Sequence, residues 1–286
     1  MYKKKIKVAL QIAVSLLCVF YVVRGIDFAH LKTVFSGYAL LPIVAAIAPT
    51  IVNMFIMSAR IKALCGRQIG FACALKATVV GQGLNNVLPA KGGDVAKIVY
   101  ISQEPGMTAS AAAGAVIVER FFDANCLFVL SAIMLREYIP QSVLAGAGMV
   151  FFLCWAAFIF FRFRPAKFER IWDFFPGLKK IKFLDDLKKY LLYDMSPRQL
   201  TLCAAATAGS WLAYCSYTVI AFLCVGKFEI SLAAAFVAFI ISAAGQLIPS
   251  SPGSLGVLEA SIVWGLGIFG VAKEPAVGIA LFIRLI

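Results

Sequence analysis

Charge is scarce in this sequence. Of 286 residues, 27 are Lys or Arg and 14 are Asp or Glu, 14% in all, where soluble domains carry roughly a quarter. His30 is the only histidine. That leaves no HExxH zinc motif and little material for acid–base chemistry near neutral pH. No GxxxxGK[ST] loop is present, so transport driven by this chain's own ATP hydrolysis is not expected. Gly81-x-Gly83-x-x-Asn86 resembles a dinucleotide motif only superficially, because no βαβ pattern surrounds it. The eight cysteines, Cys18, Cys65, Cys73, Cys126, Cys154, Cys203, Cys215 and Cys224, lie mostly in apolar runs without a CxxC pair. They read as small packing groups rather than a disulfide framework or metal site. No catalytic residue, metal or cofactor is therefore expected.

Hydrophobic residues make up 62% of the chain, and several runs reach the roughly 20 residues that cross a bilayer. The composition predicts an all-α polytopic membrane protein with one membrane domain over 1–286. The net charge of +13 is read as contact with anionic lipid and a cytoplasmic excess of bases, not as nucleic-acid binding. Spans are expected near 8–23, 38–59, 108–135, 141–161 and 201–225. The last apolar run, 276–286, is too short to cross, so the chain is expected to end in a half-span or to continue beyond Ile286.

One stretch breaks the apolar pattern. Gly81–Lys97 reads GQGLNNVLPAKGGDVAK and gathers Gln82, Asn85, Asn86, Lys91, Asp94 and Lys97 around Pro89, Gly92 and Gly93. Proline removes a donor and glycine adds backbone freedom, so a continuous helix is disfavoured here. At membrane depth such a break needs protein or a water-filled cavity to satisfy its backbone. Two half-helices are predicted over 69–103, entering and leaving by the same side. A second break, IPSSPGSLG, carries Pro249, Pro252 and Gly253 with Ser250, Ser251 and Ser254, predicting another such hairpin over 231–270. Gln246 stands just before it.

The breaks match as Leu88-Pro89-x-x-x-Gly93 and Ile248-Pro249-x-x-x-Gly253. Downstream, Gly114-x5-Arg120 recurs as Gly278-x5-Arg284. With the N-terminus inside, 16 basic residues fall on cytoplasmic segments, Arg60, Lys62 and Arg67 among them, and five outside. This bias places the N-terminus in the cytoplasm of a cell (inner) membrane. The two hairpins then have opposite orientation, an inverted-topology repeat of the kind that builds transporters. On this reading residues 1–161 and 197–286 are the halves. Residues 162–196 form a cytoplasmic connector with nine Lys/Arg and five Asp/Glu interleaved with aromatics. That mixture suits helices lying on an anionic leaflet, with substrate gating as the alternative.

Arg120 and Arg284 are costly in a membrane unless they pair or bind an anion. Their planar fork suits phosphate. The expected site groups them with Lys91, Ser250 and Ser251 around a phosphate-bearing headgroup, while Asp94, Glu119 and Asp123 balance charge. The structural alternative stays open at each position. Arg120 can neutralise Glu119 or Asp123, Asp94 can cap its half-helix and pair with Lys97, the serines can cap the second half-helix, and Glu259 is the protein partner expected for Arg284.

The blocks NNVLPAKGGDVAKIVYI, AVIVERFFD, IPSSPGSLGVLEASIV and ALFIRL together resemble the flippase-like membrane domain of lysylphosphatidylglycerol synthases, in its stand-alone form. The resemblance covers about 69–286 in ordered blocks. It implies movement of a lipid between leaflets. Aminoacylated phosphatidylglycerol is the best-described cargo in that family, and polyprenyl-phosphate sugar carriers are linked to archaeal relatives. No aminoacyl-transferase block is present, so synthesis of such a lipid is not expected. Anionic membrane lipids are the expected partners, and a lipid-modifying enzyme or glycosyltransferase is a candidate protein partner. Small-residue helix faces would suit a homodimer. Two other functions remain: holding a lipid-linked precursor without transporting it, and a transferase reaction using Glu119 or Asp123.

Overall fold

A computed structural model describes residues 2–27, 29, 31, 40–88, 92–175, 177, 181–224, 230–248 and 250–285. Among the described residues every regular element is helical. The α-helices are α1 (Tyr2–Val23), α2 (Leu40–Cys65), α3 (Phe71–Val87), α4 (Gly92–Ile101), α5 (Ala109–Met134), α6 (Gln141–Phe163), α7 (Pro165–Asp173), α8 (Lys182–Lys189), α9 (Pro197–Cys224), α10 (Leu232–Gly245), α11 (Val257–Gly267) and α12 (Lys273–Leu285). Two of them, over Val44–Gln68 and Gln141–Phe163, are long and apolar enough to cross a membrane, and shorter apolar helices cover Gln11–Val23 and Leu232–Gly245.

Local chemistry sets several boundaries. Thr108 Oγ1 accepts the Ala111 amide at 3.1 Å and starts α5; Ser231 Oγ does the same for Ala234 at 3.2 Å and starts α10. At the end of α2, Lys62 Nζ donates to the carbonyls of Gly66 and Ile69, at 3.2 and 2.8 Å, fixing the turn that follows the helix. Both broken elements are pairs of helices, α3–α4 and α10–α11, separated where the Pro/Gly clusters stand. The second half-helix begins later than the sequence suggests, at Val257 rather than near Gly253. Gly253, Ser254 and Gly256 take φ values of +65°, +51° and +84°, and left-handed backbone cannot continue an α-helix.

The chain forms two compact units. The first comprises residues 1–53, 82–93 and 210–286. Its core packs Val22 of α1 against α10, α11 and α12, through Ala235, Ala238, Ile262, Leu266 and Ile279 among others. Close approach is built in: a Cβ on Gly265 would lie 2.8 Å from the Ala238 Cα, and one on Gly256 would lie 2.7 Å from the Ser15 carbonyl oxygen. The second comprises residues 54–81 and 94–209. Its core joins Ile61, Leu64, Ala74, Ile101, Val116, Tyr190 and Cys203. There α6 leans on α5 through aromatics, with Phe121 5.2 Å from Phe158 and Phe128 4.6 Å from Phe151. The Trp155 indole donates to Asn125 Oδ1 at 2.7 Å.

Candidate functional site

In the second unit six ionised side chains form one chain of alternating sign. Lys97 Nζ donates to Glu119 Oε2 at 2.6 Å. The other Glu119 oxygen accepts from Arg60 Nη2 at 2.6 Å. Arg60 Nη1 reaches Asp123 Oδ1 at 2.6 Å and Thr207 Oγ1 at 3.0 Å. Asp123 Oδ2 accepts from Arg120 Nη1 at 3.3 Å. Arg120 then holds Asp94 by a two-pronged bond, Nε to Oδ2 at 2.8 Å and Nη2 to Oδ1 at 2.6 Å. The order is Lys97–Glu119–Arg60–Asp123–Arg120–Asp94, three cations and three carboxylates.

Helix periodicity explains the assembly. Glu119, Arg120 and Asp123 lie within a little over one turn of α5, so two adjacent faces meet different neighbours. Glu119 faces Arg60 of α2 and Lys97 of α4; Arg120 faces Asp94 in the first turn of α4. Exposure is graded along the chain. Arg60 and Glu119 are fully covered, whereas the Arg120 side chain is 40% exposed. A fully covered charge survives only with partners, and Arg60 spends both Nη groups on them while its Nε has none.

The first unit holds a second arginine–carboxylate clasp. Arg284 of α12 binds both Glu259 oxygens, through Nε to Oε1 and through Nη2 to Oε2. The same guanidinium donates to the Gly253 carbonyl at 3.1 Å and the Ser254 carbonyl at 3.3 Å. Glu259 also accepts the Gly256 amide at 2.8 Å, at the start of α11, where a carboxylate complements the helix dipole. The first break reaches this place too. A Cβ on Gly253 would lie 2.9 Å from the Asn86 carbonyl oxygen and 3.6 Å from Arg284 Nη1. The end of α3 and the second break therefore abut.

Expected site residues fall into these groups unevenly. Asp94, Lys97, Glu119, Arg120 and Asp123 come together, and Glu259 is the partner of Arg284 as the sequence suggests. Asp94 does not pair with Lys97: Asp94 goes to Arg120, and Lys97 to Glu119. Nor do the serines cap α11, since Gly256 is its N-cap and the Glu259 carboxylate takes that amide. Instead the Ser251 amide donates to Ser15 Oγ of α1 at 3.0 Å, Ser250 is buried, and Ser254 offers its carbonyl to Arg284. Gln246 points to Tyr214, donating to its hydroxyl at 3.2 Å. Gln82 and Asn85 lie along α3, and Gly92 and Gly93 open α4. Lys91, Pro89 and Pro249 lie outside the described residues, as does His30.

Arg60 is the residue the sequence reading misplaces. The basic-residue count sets it on a cytoplasmic flank, yet it lies inside α2 with 0% exposure and two carboxylate partners. The signal was present: the apolar run resumes after it at Ile61, Ala63, Leu64 and Cys65, so the helix does not end at Ala59. One base thus leaves the count on which the orientation rested. Ser15 and Thr207 carried no such signal, because a hydroxyl in an apolar helix is common and its partner is distant in sequence.

No curated protein and no solved structure matches the chain. The family model described as lysylphosphatidylglycerol synthase TM region matches residues 8–286, nearly the whole length, which makes this a membrane protein with a lipid-related role. The chain belongs to that family.

Proposed function

We propose that this protein is a lipid transporter that moves an anionic, phosphate-bearing lipid between the leaflets of a cell membrane. The observation that carries this reading is a repeated arrangement of charge. After each Pro/Gly break a carboxylate stands in the first turn of the following helix, Asp94 in α4 and Glu259 in α11. Each is clasped by an arginine 26 or 25 residues further on, Arg120 or Arg284. The parallel supports an inverted repeat with two re-entrant helix pairs, since the matched arginines do the same work in both copies, although Asp94 follows Gly93 by one residue and Glu259 follows Gly253 by six.

Both arginines remain partly uncovered, 40% for Arg120 and 27% for Arg284. A guanidinium in that position can accept a phosphate in place of a carboxylate, because both ligands match its planar fork. The six-membered chain is neutral as it stands. A headgroup phosphate would therefore act by competing with Asp94 or Asp123 for Arg120, not by neutralising spare positive charge. Exchange of one anion for another lets the headgroup enter without leaving a bare charge in a medium of low dielectric. Acyl or prenyl tails would stay in lipid.

The same neutrality favours a second reading to the extent that the pairs are static. The protein would then hold a lipid-linked precursor for a partner, a lipid-modifying enzyme or glycosyltransferase, without moving it. In either case the role is binding or transport and not catalysis.

Native mass spectrometry of detergent-purified protein tests the headgroup contact. Wild type should retain a defined anionic lipid, and Arg120→Ala and Arg284→Ala should each weaken its binding by about tenfold or more, the loss of one charge-assisted contact worth roughly 1.5–3 kcal/mol. Equal lipid retention in all three proteins, each folded, would leave both arginines as structural pairs.

A further inference from the structure

The segment joining α6 to α9 exposes apolar surface that no described part of the protein covers. Phe174 is 82% exposed, Phe163 77%, Phe175 54%, and Ile171, Ile181 and Phe183 between 43% and 48%. Arg164, Lys167, Arg170, Lys182 and Lys189 are exposed among them. In water so many large uncovered side chains over a short stretch mark an interaction surface.

Charge decides what covers it. Residues 162–194 carry nine Lys/Arg and five Asp/Glu, an excess of four positive charges. Basic heads also lie over aromatic rings: Lys167 Nζ is 5.8 Å from the Phe160 centroid and Lys188 Nζ 5.6 Å from that of Trp172. Such side chains cover apolar surface while keeping the charged head at a polar boundary. Aromatics with interleaved bases are the composition of helices that lie at the headgroup–acyl boundary of an anionic leaflet.

The ends of the segment are fixed to each other, and the later end to the rest of the second unit. Arg162 Nη1 donates to the Leu192 carbonyl at 3.0 Å and Nη2 to that of Met195 at 2.8 Å. Tyr190 is buried, with its hydroxyl donating to the Leu64 carbonyl at 3.0 Å. Anchored ends spare α7 and α8 much of the ordering cost a free linker would meet on binding.

We propose that residues 163–175 and 181–189 dock on the surface of an anionic leaflet, with the exposed aromatics at the acyl boundary and the bases on lipid phosphates. This goes beyond the transport reading and does not depend on it.

The test is hydrogen exchange of the full chain in nanodiscs. One set is phosphatidylcholine alone, and the other includes phosphatidylglycerol at about 30 mol %. Amides of 165–175 and 181–189 should exchange about tenfold or more slowly in the anionic discs, given the attraction each base gains there. The quadruple variant Lys167→Gln, Arg170→Gln, Lys182→Gln, Lys189→Gln should lose most of that difference, while α9 amides over 197–209 exchange as in wild type and report an intact fold. A second variant, Phe174→Ser with Phe175→Ser, should lower protection in both lipids. Equal exchange in the two compositions overturns the proposal, as does a charge variant that keeps the full difference. Protection absent from both discs and arising only in native membranes would assign the face to a protein and overturn it equally.

Discussion

Glu119 accepts from two buried cations at once, at 2.6 Å each, and with Arg60 it is the most enclosed group on the chain of ion pairs. Removing it leaves Arg60 without one of its two carboxylates and deprives Lys97 of its counter-charge. An uncompensated buried charge costs about 3–5 kcal/mol, so Glu119→Ala should lower the melting temperature in detergent sharply or prevent folding. Arg120→Ala should cost less, because its side chain is 40% exposed and Asp123 keeps Arg60 as a partner when Arg120 is removed. A thermal melt of the two variants side by side checks the order. If Arg120→Ala is the more damaging, the grading of burial along the chain does not govern its energetics. At this scale the sequence was partly legible. Glu259 with Arg284 could be read from the place of Glu259 in the half-helix that leaves the second break, since Arg284 has no acidic neighbour within a helical turn or two. The pairing of Lys97 with Glu119 could not, since Asp94 is the closer acid in sequence and only the packing of α4 against α5 decides between them.

Among elements, the second broken pair, α10–α11, is held by close backbone approach. Gly265 of α11 passes Ala238 of α10 so tightly that a methyl group would meet the Ala238 Cα at 2.8 Å, and backbone does not step aside. Gly265→Ala should destabilise by about 1–3 kcal/mol, the usual cost of overpacking. Gly83 of α3 has open space around its Cβ position. There, Gly83→Ala should stabilise by about 0.5–1 kcal/mol, since alanine is the better helix former. Thermal melts read both, and the opposite signs distinguish packing from propensity. The existence of two helix pairs at the breaks was visible in Pro89, Gly93, Pro249 and Gly253, because proline and glycine act locally. The late start of α11 was not visible, because Ser254 takes a positive φ that serine rarely adopts on its own. Similarly, Tyr190 reads as one more connector aromatic, yet its ring fills the space beside Gly114, where a Cβ would lie 2.3 Å away. That contact ties the end of the connector to the helix carrying Glu119 and Arg120.

For the molecule as a whole, composition alone announces a helical membrane protein, and membership of the lysylphosphatidylglycerol synthase TM region family accords with it. Composition acts everywhere at once, so it survives errors at single residues such as Arg60. The lipid headgroup is not legible in the same way. An arginine fork recognises carboxylate and phosphate by the same geometry, and the protein's own carboxylates occupy it here. Binding and movement are also separate properties: a lipid can be held by Arg120 or Arg284 without crossing. The central claim is movement, and it is tested most directly by reconstituting the purified protein into liposomes with a trace of headgroup-labelled phosphatidylglycerol and following the loss of inner-leaflet protection against a membrane-impermeant quencher. Wild type should expose the inner-leaflet label well above the protein-free rate, and Arg120→Ala should slow that exposure. A folded wild-type protein that retains anionic lipid yet leaves the label at the protein-free rate would contradict transport and leave the lipid-holding function in its place.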